Sequence, residues 1–136
     1  MESPKQPKKV LLVDDEPELL EMVKMRLEAN NFEVITASDG QAALGIVRRV
    51  RPDIVILDIM LPKLDGFKVC RMFKFDDKYK SIPVVLLTAR VRETDRKTAS
   101  EVGADAFITK PFEPQALLSN IYRLLGMEAA GDNGNG

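Results

Sequence analysis

Hydrophobic and polar positions switch between two periods along this chain, and the switches predict five strands alternating with five helices. Val10 to Val13 is an unbroken apolar run, the pattern of a short strand covered on both faces. Leu19, Leu20, Val23 and Leu27 then fall within an arc of roughly 100° at helical spacing, which predicts a first helix. Phe32 to Ala37 predicts a second strand, with Phe32, Val34 and Ile35 as its bulk. Asp39-Gly40 turns the chain into a second helix whose Ala43, Leu44, Val47 and Val50 share a face, and Pro52 stops it. Ile54 to Leu57, the most apolar run, predicts the central strand. A third helix begins at Gly66 with Val69, Cys70 and Phe73 inward, and Pro83 to Leu87 predicts the fourth strand. A fourth helix runs from about Glu93 to Val102, and Ala106 to Ile108 is a short fifth strand. Pro114 suits the first turn of a last helix striped by Leu117, Leu118, Ile121, Leu124 and Leu125, and Gly126 suits its end.

Strands alternating with helices imply right-handed crossovers, hence an α/β, doubly wound, mostly parallel sheet with helices on both faces. The 136 residues suit one domain. Its expected extent is residues 9–125, between a flexible lead-in (1–8, with Pro4 and Pro7) and a glycine- and asparagine-rich tail or linker stub (126–136). No internal repeat is visible.

Composition narrows the chemistry. Twenty basic and 21 acidic side chains give a net charge of -1, so no global attraction draws the chain to nucleic acid or membrane. Arg48-Arg49-Arg51 reads as solvated helix surface, because it lacks interleaved aromatics. With no histidine there is no Ser–His or Cys–His catalysis and no imidazole-bound zinc. The lone Cys70 excludes an internal disulfide and reads as a small buried hydrophobe, which fits a reducing, cytoplasmic setting. No run approaches the ~18 apolar residues of a membrane span, and the four-residue run after the lysine-rich start is too short for a signal peptide.

In open sheets of this kind, ligands bind outside the carboxyl ends of the strands. The first run ends in Asp14-Asp15-Glu16, the third in Asp58, the fourth in Thr88 and the fifth in Lys110-Pro111, whereas the second ends blandly at Ala37-Ser38. One sheet edge therefore gathers carboxylates, a hydroxyl and an ammonium. Close carboxylates call for a cation, and oxygen-only ligands favour a hard ion such as Mg2+. The set describes a magnesium-assisted phosphoryl site with one carboxylate as nucleophile. Simpler roles exist for each residue alone. Asp15 can cap the first helix, Glu16 can complement its dipole, and Asp58 can form a structural ion pair with Lys110.

Taken together and in order, Val13-Asp14-Asp15-Glu16, Leu57-Asp58, Leu61-Pro62-Lys63-Leu64-Asp65-Gly66, Leu87-Thr88-Ala89 and Gly103-Ala104-Asp105 running into Thr109-Lys110-Pro111-Phe112 carry a resemblance. From about Lys9 to Leu125 the chain resembles the receiver (phosphoacceptor) domain of bacterial two-component response regulators, chemotaxis receivers among them. The resemblance implies a flavodoxin-like (βα)5 fold with strand order 2-1-3-4-5. It implies that Asp58 accepts a phosphoryl group from the phosphohistidine of a sensor histidine kinase or a phosphotransfer protein. Asp14, Asp15, Asp58 and the Met60 backbone carbonyl would hold Mg2+, for which Mn2+ can substitute. Thr88 and Lys110 would hold phosphoryl oxygens, with a cis peptide between Lys110 and Pro111. Phe107 stands at the position of the switch aromatic, where a tyrosine is commoner, and Met60 and Arg90 stand where the phosphoryl lifetime is tuned.

Rival sites fail on specific residues. There is no GxGxxG after the first strand and no GxxxxGK[ST] anywhere, and a flavin phosphate in the first loop would meet Asp14, Asp15 and Glu16. An aspartyl phosphatase of the haloacid dehalogenase type would need a second Asp two positions after Asp58, where Met60 stands and cannot move a proton. The expected product is therefore a persistent phosphorylated state, a switch with no turnover beyond its own phosphorylation and slow dephosphorylation. The alternatives are a Mg2+-dependent aspartyl phosphatase, disfavoured by Met60, and a receiver-like interaction scaffold. The fourth helix has almost no apolar face beyond Ala99 and Val102, so the face of the fourth helix, fifth strand and fifth helix is the expected partner surface. The Leu-Thr-Ala-Arg and Lys-Pro-Phe segments resemble receivers that drive winged-helix regulators. Ala106, Ala116 and Asn120 replace the charges those receivers use to dimerise, so the unphosphorylated chain is expected to be a monomer. Its target would be a downstream protein or an output domain lying outside this sequence, with no direct nucleic-acid or membrane contact by this domain.

Overall fold

The computed structural model describes residues 6–89 and 92–127. The expected tail beyond Met127, the first five residues of the lead-in and Arg90 lie outside the described residues. The elements are β1 (Lys9–Val13), α1 (Pro17–Ala29), β2 (Glu33–Ala37), α2 (Gly40–Val50), β3 (Ile54–Asp58), α3 (Gly66–Lys74), β4 (Val84–Thr88), α4 (Glu93–Glu101), β5 (Ala106–Thr109) and α5 (Pro114–Leu125). The five strands are parallel, in the order β2-β1-β3-β4-β5, so the order reverses beside β1. This is the flavodoxin-like arrangement that the resemblance implies.

Alternate residues of each strand feed two separate cores. Leu11, Val13, Val55, Leu57, Val84 and Leu86 pack with α2, α3 and α4 residues such as Ala43, Val69, Phe73 and Ala99. Val10, Leu12, Ile54, Ile56, Val85 and Leu87 pack with α1 and α5 residues such as Val23, Leu27, Leu117 and Ile121. Both faces of the central strands are thus covered, which is why β1, β3 and β4 read as continuous apolar runs. Cys70 is fully buried, its thiol pointing at the Val102 carbonyl, and burial pushes that thiol up to about 12.

Loop chemistry sets the helix starts. Asp39 and Asp65 cap α2 and α3 by accepting the Ala42 and Lys68 N–H groups at 2.8 and 3.0 Å. Arg51, in the left-handed region at φ 54°, ends α2 one residue before Pro52. Gly66 opens α3 against the end of β3: a side chain there would collide with the Asp58 carbonyl and the Ile59 backbone. Gly66→Ala should therefore destabilise the fold by about 2 kcal/mol, the scale of overpacking against an immovable backbone. A urea midpoint equal to wild type would show that the loop gives way. The fourth helix buries a carboxylate: Asp95 is 6% exposed and ion-paired to Arg92 at 3.3 Å. Its other buried position is Ala99, so α4 is held to the sheet with little apolar area. Among the described residues, no helix is long and apolar enough to cross a membrane.

Candidate functional site

Parallel strands all end on the same edge, and the loops after β1 and β5 and the last residue of β3 bring Asp14, Lys110 and Asp58 together there. The Asp14 side chain is completely buried, and Asp58 closes β3 at 4% exposure. Each carboxylate has one oxygen tied to the backbone: Asp14 Oδ1 accepts the Glu16 N–H at 2.9 Å, and Asp58 Oδ1 accepts the Met60 N–H at 3.0 Å. Their other oxygens face the Lys110 ammonium. Lys110 Nζ donates to Asp58 Oδ2 at 3.0 Å and to Glu16 Oε1 at 2.8 Å. It also lies 2.8 Å from Asp14 Oδ2, an ion pair without hydrogen-bond alignment, so that buried oxygen has no hydrogen bond. The Lys110–Pro111 peptide is cis.

Three carboxylates around one ammonium leave an excess of negative charge. Burial pushes the Asp14 carboxyl above its ordinary value, and the neighbouring Asp58 charge adds to this against the pull of Lys110 and the Glu16 N–H. For Lys110, burial pulls the ammonium down, but Asp14, Glu16 and Asp58 together outweigh it, and the net shift is upward. Ligand oxygens of Asp14, Glu16 and Asp58 lie within 4.8 Å of one another, close enough to share a metal ion. An all-oxygen donor set that includes a buried carboxylate oxygen without a hydrogen bond fits a hard divalent cation such as Mg2+.

Sequence reasoning places Glu16 among the carboxylates at this edge, with a dipole role as the simpler reading, but not in contact with Lys110. Asp15 is exposed and lines an adjoining open cleft with Ile59, Met60 and Asp65. The helix cap falls on Glu16, whose side chain makes no capping bond, so Asp15 does not cap α1. The Met60 side chain is half exposed. Thr88 ends β4 at 1% exposure, and its carbonyl accepts the Lys110 N–H at 2.7 Å, which places it beside the cluster. Phe107 is half-buried on β5, packed toward the α2–α3–α4 core, with the Arg96 guanidinium 5.2 Å above its ring.

Residues 10–122 match the family model described as the response regulator receiver domain. The chain belongs to that family. As a receiver domain it is similar to the alkaline phosphatase synthesis transcriptional regulatory protein PhoP of Bacillus subtilis, with 40% identity over 87% of this chain and 48% of that protein. The chain spans about half the length of the curated relatives it matches. A crystal structure of a putative response regulator from Chloroflexus aurantiacus superposes with a TM-score of 0.84 at 32% identity, covering 88% of this chain and 98% of the other. The receiver domain of the sensor histidine kinase PA1611 from Pseudomonas aeruginosa superposes with a TM-score of 0.81 at 28% identity, over 88% of this chain and 98% of that one. That neighbour is described with a magnesium ion coordinated in its active site cleft. The chain is thus a receiver domain of the two-component response regulator kind.

Proposed function

We propose that this receiver domain takes a phosphoryl group onto Asp58 from the phosphohistidine of a sensor histidine kinase or phosphotransfer protein. The observation that carries the reading is the Asp58 carboxylate itself. It is buried at the edge where the strand order reverses, oriented by the Met60 N–H on one oxygen and Lys110 on the other. An Asp58 oxygen attacks phosphorus, the new O–P bond forms as the P–N bond to the donor breaks, and the imidazole leaves with the bonding pair. Asp14, Asp15, Asp58 and the Met60 carbonyl would hold Mg2+, or Mn2+ in its place; Asp15 and Met60 line one open cleft beside Asp58. The metal supplies charge neutralisation for the transferring group. Lys110 and Thr88 then hold phosphoryl oxygens. Met60 carries no group able to direct a water at the product, so Asp58 is not regenerated quickly and the phosphorylated form persists. This disfavours an aspartyl phosphatase.

The response is expected on α4, β5 and α5. Thr88 lies between the site and β5, and Phe107 on β5 sits beneath Arg96 of α4. A helix anchored by so little apolar area is the element a local electrostatic event can shift. In this reading Phe107 turns inward as Thr88 moves toward the phosphoryl group. The altered face acts on a downstream protein or on an output domain outside this sequence, with residues 9–125 as the switching unit.

The test is intact-mass spectrometry after incubation with acetyl phosphate, with and without Mg2+. One magnesium-dependent phosphoryl adduct is expected; none, with magnesium shown to bind, would overturn the reading. Amide NMR on the same samples should show the largest phosphorylation-dependent shifts beyond the site on α4–β5–α5. Shifts confined to α1 and α2 would move the responsive face elsewhere.

A further inference from the structure

We infer that Glu16 is the exchangeable partner of Lys110, a positioning residue that the incoming phosphoryl group must displace. The inference rests on Asp58 being the phosphoacceptor. Three carboxylates, Asp14, Glu16 and Asp58, crowd Lys110 Nζ at 2.8, 2.8 and 3.0 Å, Glu16 and Asp58 accepting its hydrogen bonds and Asp14 in ion-pair contact, so no side of the ammonium facing the site is open to a further anion. For Lys110 to hold a phosphoryl oxygen, one of them must yield. The three are not equivalent. The Asp14 and Asp58 side chains are 0% and 6% exposed, whereas that of Glu16 is 60% exposed. Releasing a buried carboxylate from its cation strands a charge away from water, whereas Glu16 leaves into solvent and is rehydrated. Asp14 and Asp58 are also pinned through their second oxygens by backbone N–H groups.

Glu16 has room to move, and among the described residues its side chain makes no polar contact other than that with Lys110. It borders an open cleft of about 320 Å³ beside Leu19 and Met22 of α1. Although it stands at the N-cap of α1, its side chain makes no capping bond, so letting go of Lys110 does not unravel the helix. Its charge also opposes the approach of a dianion to the same ammonium. Glu16 therefore holds Lys110 in register over Asp58 beforehand and competes with the phosphoryl group afterwards, which lowers both the ease of capture and the lifetime of the product.

The experiment is steady-state and chase phosphorylation by acetyl phosphate in saturating Mg2+, read by intact mass, on wild type, Glu16→Gln and Glu18→Gln. Glutamine keeps the length of Glu16 and removes its charge. Glu18, also exposed and in the first turn of α1, makes the same charge change without contact to Lys110. For Glu16→Gln the half-saturating acetyl phosphate concentration should fall, and the phosphoryl lifetime lengthen, each roughly two- to fivefold, the scale of one exposed charged contact. Glu18→Gln should match wild type in both readouts. Equal kinetics for wild type and Glu16→Gln, or the same gain in Glu18→Gln, would overturn the inference. So would slower phosphorylation with weaker Mg2+ binding to the unphosphorylated variant, measured by calorimetry, since that would make Glu16 a metal ligand. No adduct on wild type would instead overturn the phosphoacceptor reading, and this inference with it.

Discussion

Asp58→Asn takes up no phosphoryl group from acetyl phosphate in saturating Mg2+, under conditions where the wild-type chain gains one. The amide oxygen carries no formal negative charge, and its attack on phosphorus would leave a cationic imidate ester, so it cannot act as a carboxylate does. The expected fall in initial rate is more than about a thousandfold, in keeping with the loss of a nucleophile. The fold should survive the change. An asparagine has the same shape, its oxygen can still accept the Met60 N–H that Asp58 accepts at 3.0 Å, and Lys110 keeps Asp14 and Glu16 as partners. One negative charge fewer beside buried Asp14 relieves repulsion. Intact mass is the direct readout, because the chain has no tryptophan for fluorescence quenching. An adduct forming on Asp58→Asn at the wild-type rate would place the acceptor on another side chain.

Lys110→Met is expected to cost about 3 kcal/mol of stability at neutral pH without metal, the scale for removing one partner of a buried ion pair. Methionine replaces much of the apolar stem, so the loss is electrostatic: Asp14 and Asp58, with side chains 0% and 6% exposed, would face each other without a cation. The deficit depends on pH in a direction the site dictates. Burial and the Asp58 charge already push the Asp14 carboxyl above its ordinary value of 3.8, and removing Lys110 removes a group that opposes them. Above that ordinary value the unfolded chain has released a proton that the folded variant still holds. Stability of the variant therefore falls as pH rises from about 4 toward 7, and the gap to wild type closes as pH falls. Urea unfolding at several pH values measures it. Added Mg2+ should recover part of the loss by binding the folded state alone. A deficit independent of pH would assign the cost to packing of the lysine stem instead.

Much of the fold is legible in the order of residues because parallel strands covered on both faces must be apolar throughout. Leu11, Leu12, Ile56 and Leu86 are fully buried for that reason, and their runs mark strands without reference to anything distant. Helix starts at Asp39 and Asp65 are equally local, each a side chain bonded three residues ahead. Ile46 and Tyr122 are less legible in the sequence. Ile46 is buried beside the stripe that helical spacing picks out on α2, and Tyr122 stacks on Phe32 at 5.7 Å between centroids, a contact between α5 and the entry to β2. Buried Asp95 had no signal either, since a carboxylate on a polar helix reads as solvent-facing until Arg92 is seen folded back onto it.

That Asp14, Asp58, Thr88 and Lys110 share one edge follows from the order of residues alone, because each ends or follows an apolar run and parallel strands end together. Which carboxylates meet the ammonium is settled by the packing of the strands and loops in space. Asp15 and Glu16 are neighbours of the same charge in the same loop, yet Glu16 reaches Lys110 at 2.8 Å and Asp15 lines the next cleft. That choice depends on how the backbone turns between β1 and α1, where the Glu16 N–H bonds back to Asp14 Oδ1. It also depends on where β5 delivers a lysine 94 residues further along. Spacing along a chain can say that charges converge, but the pairing among them is fixed by distances that arise only when the strands are side by side.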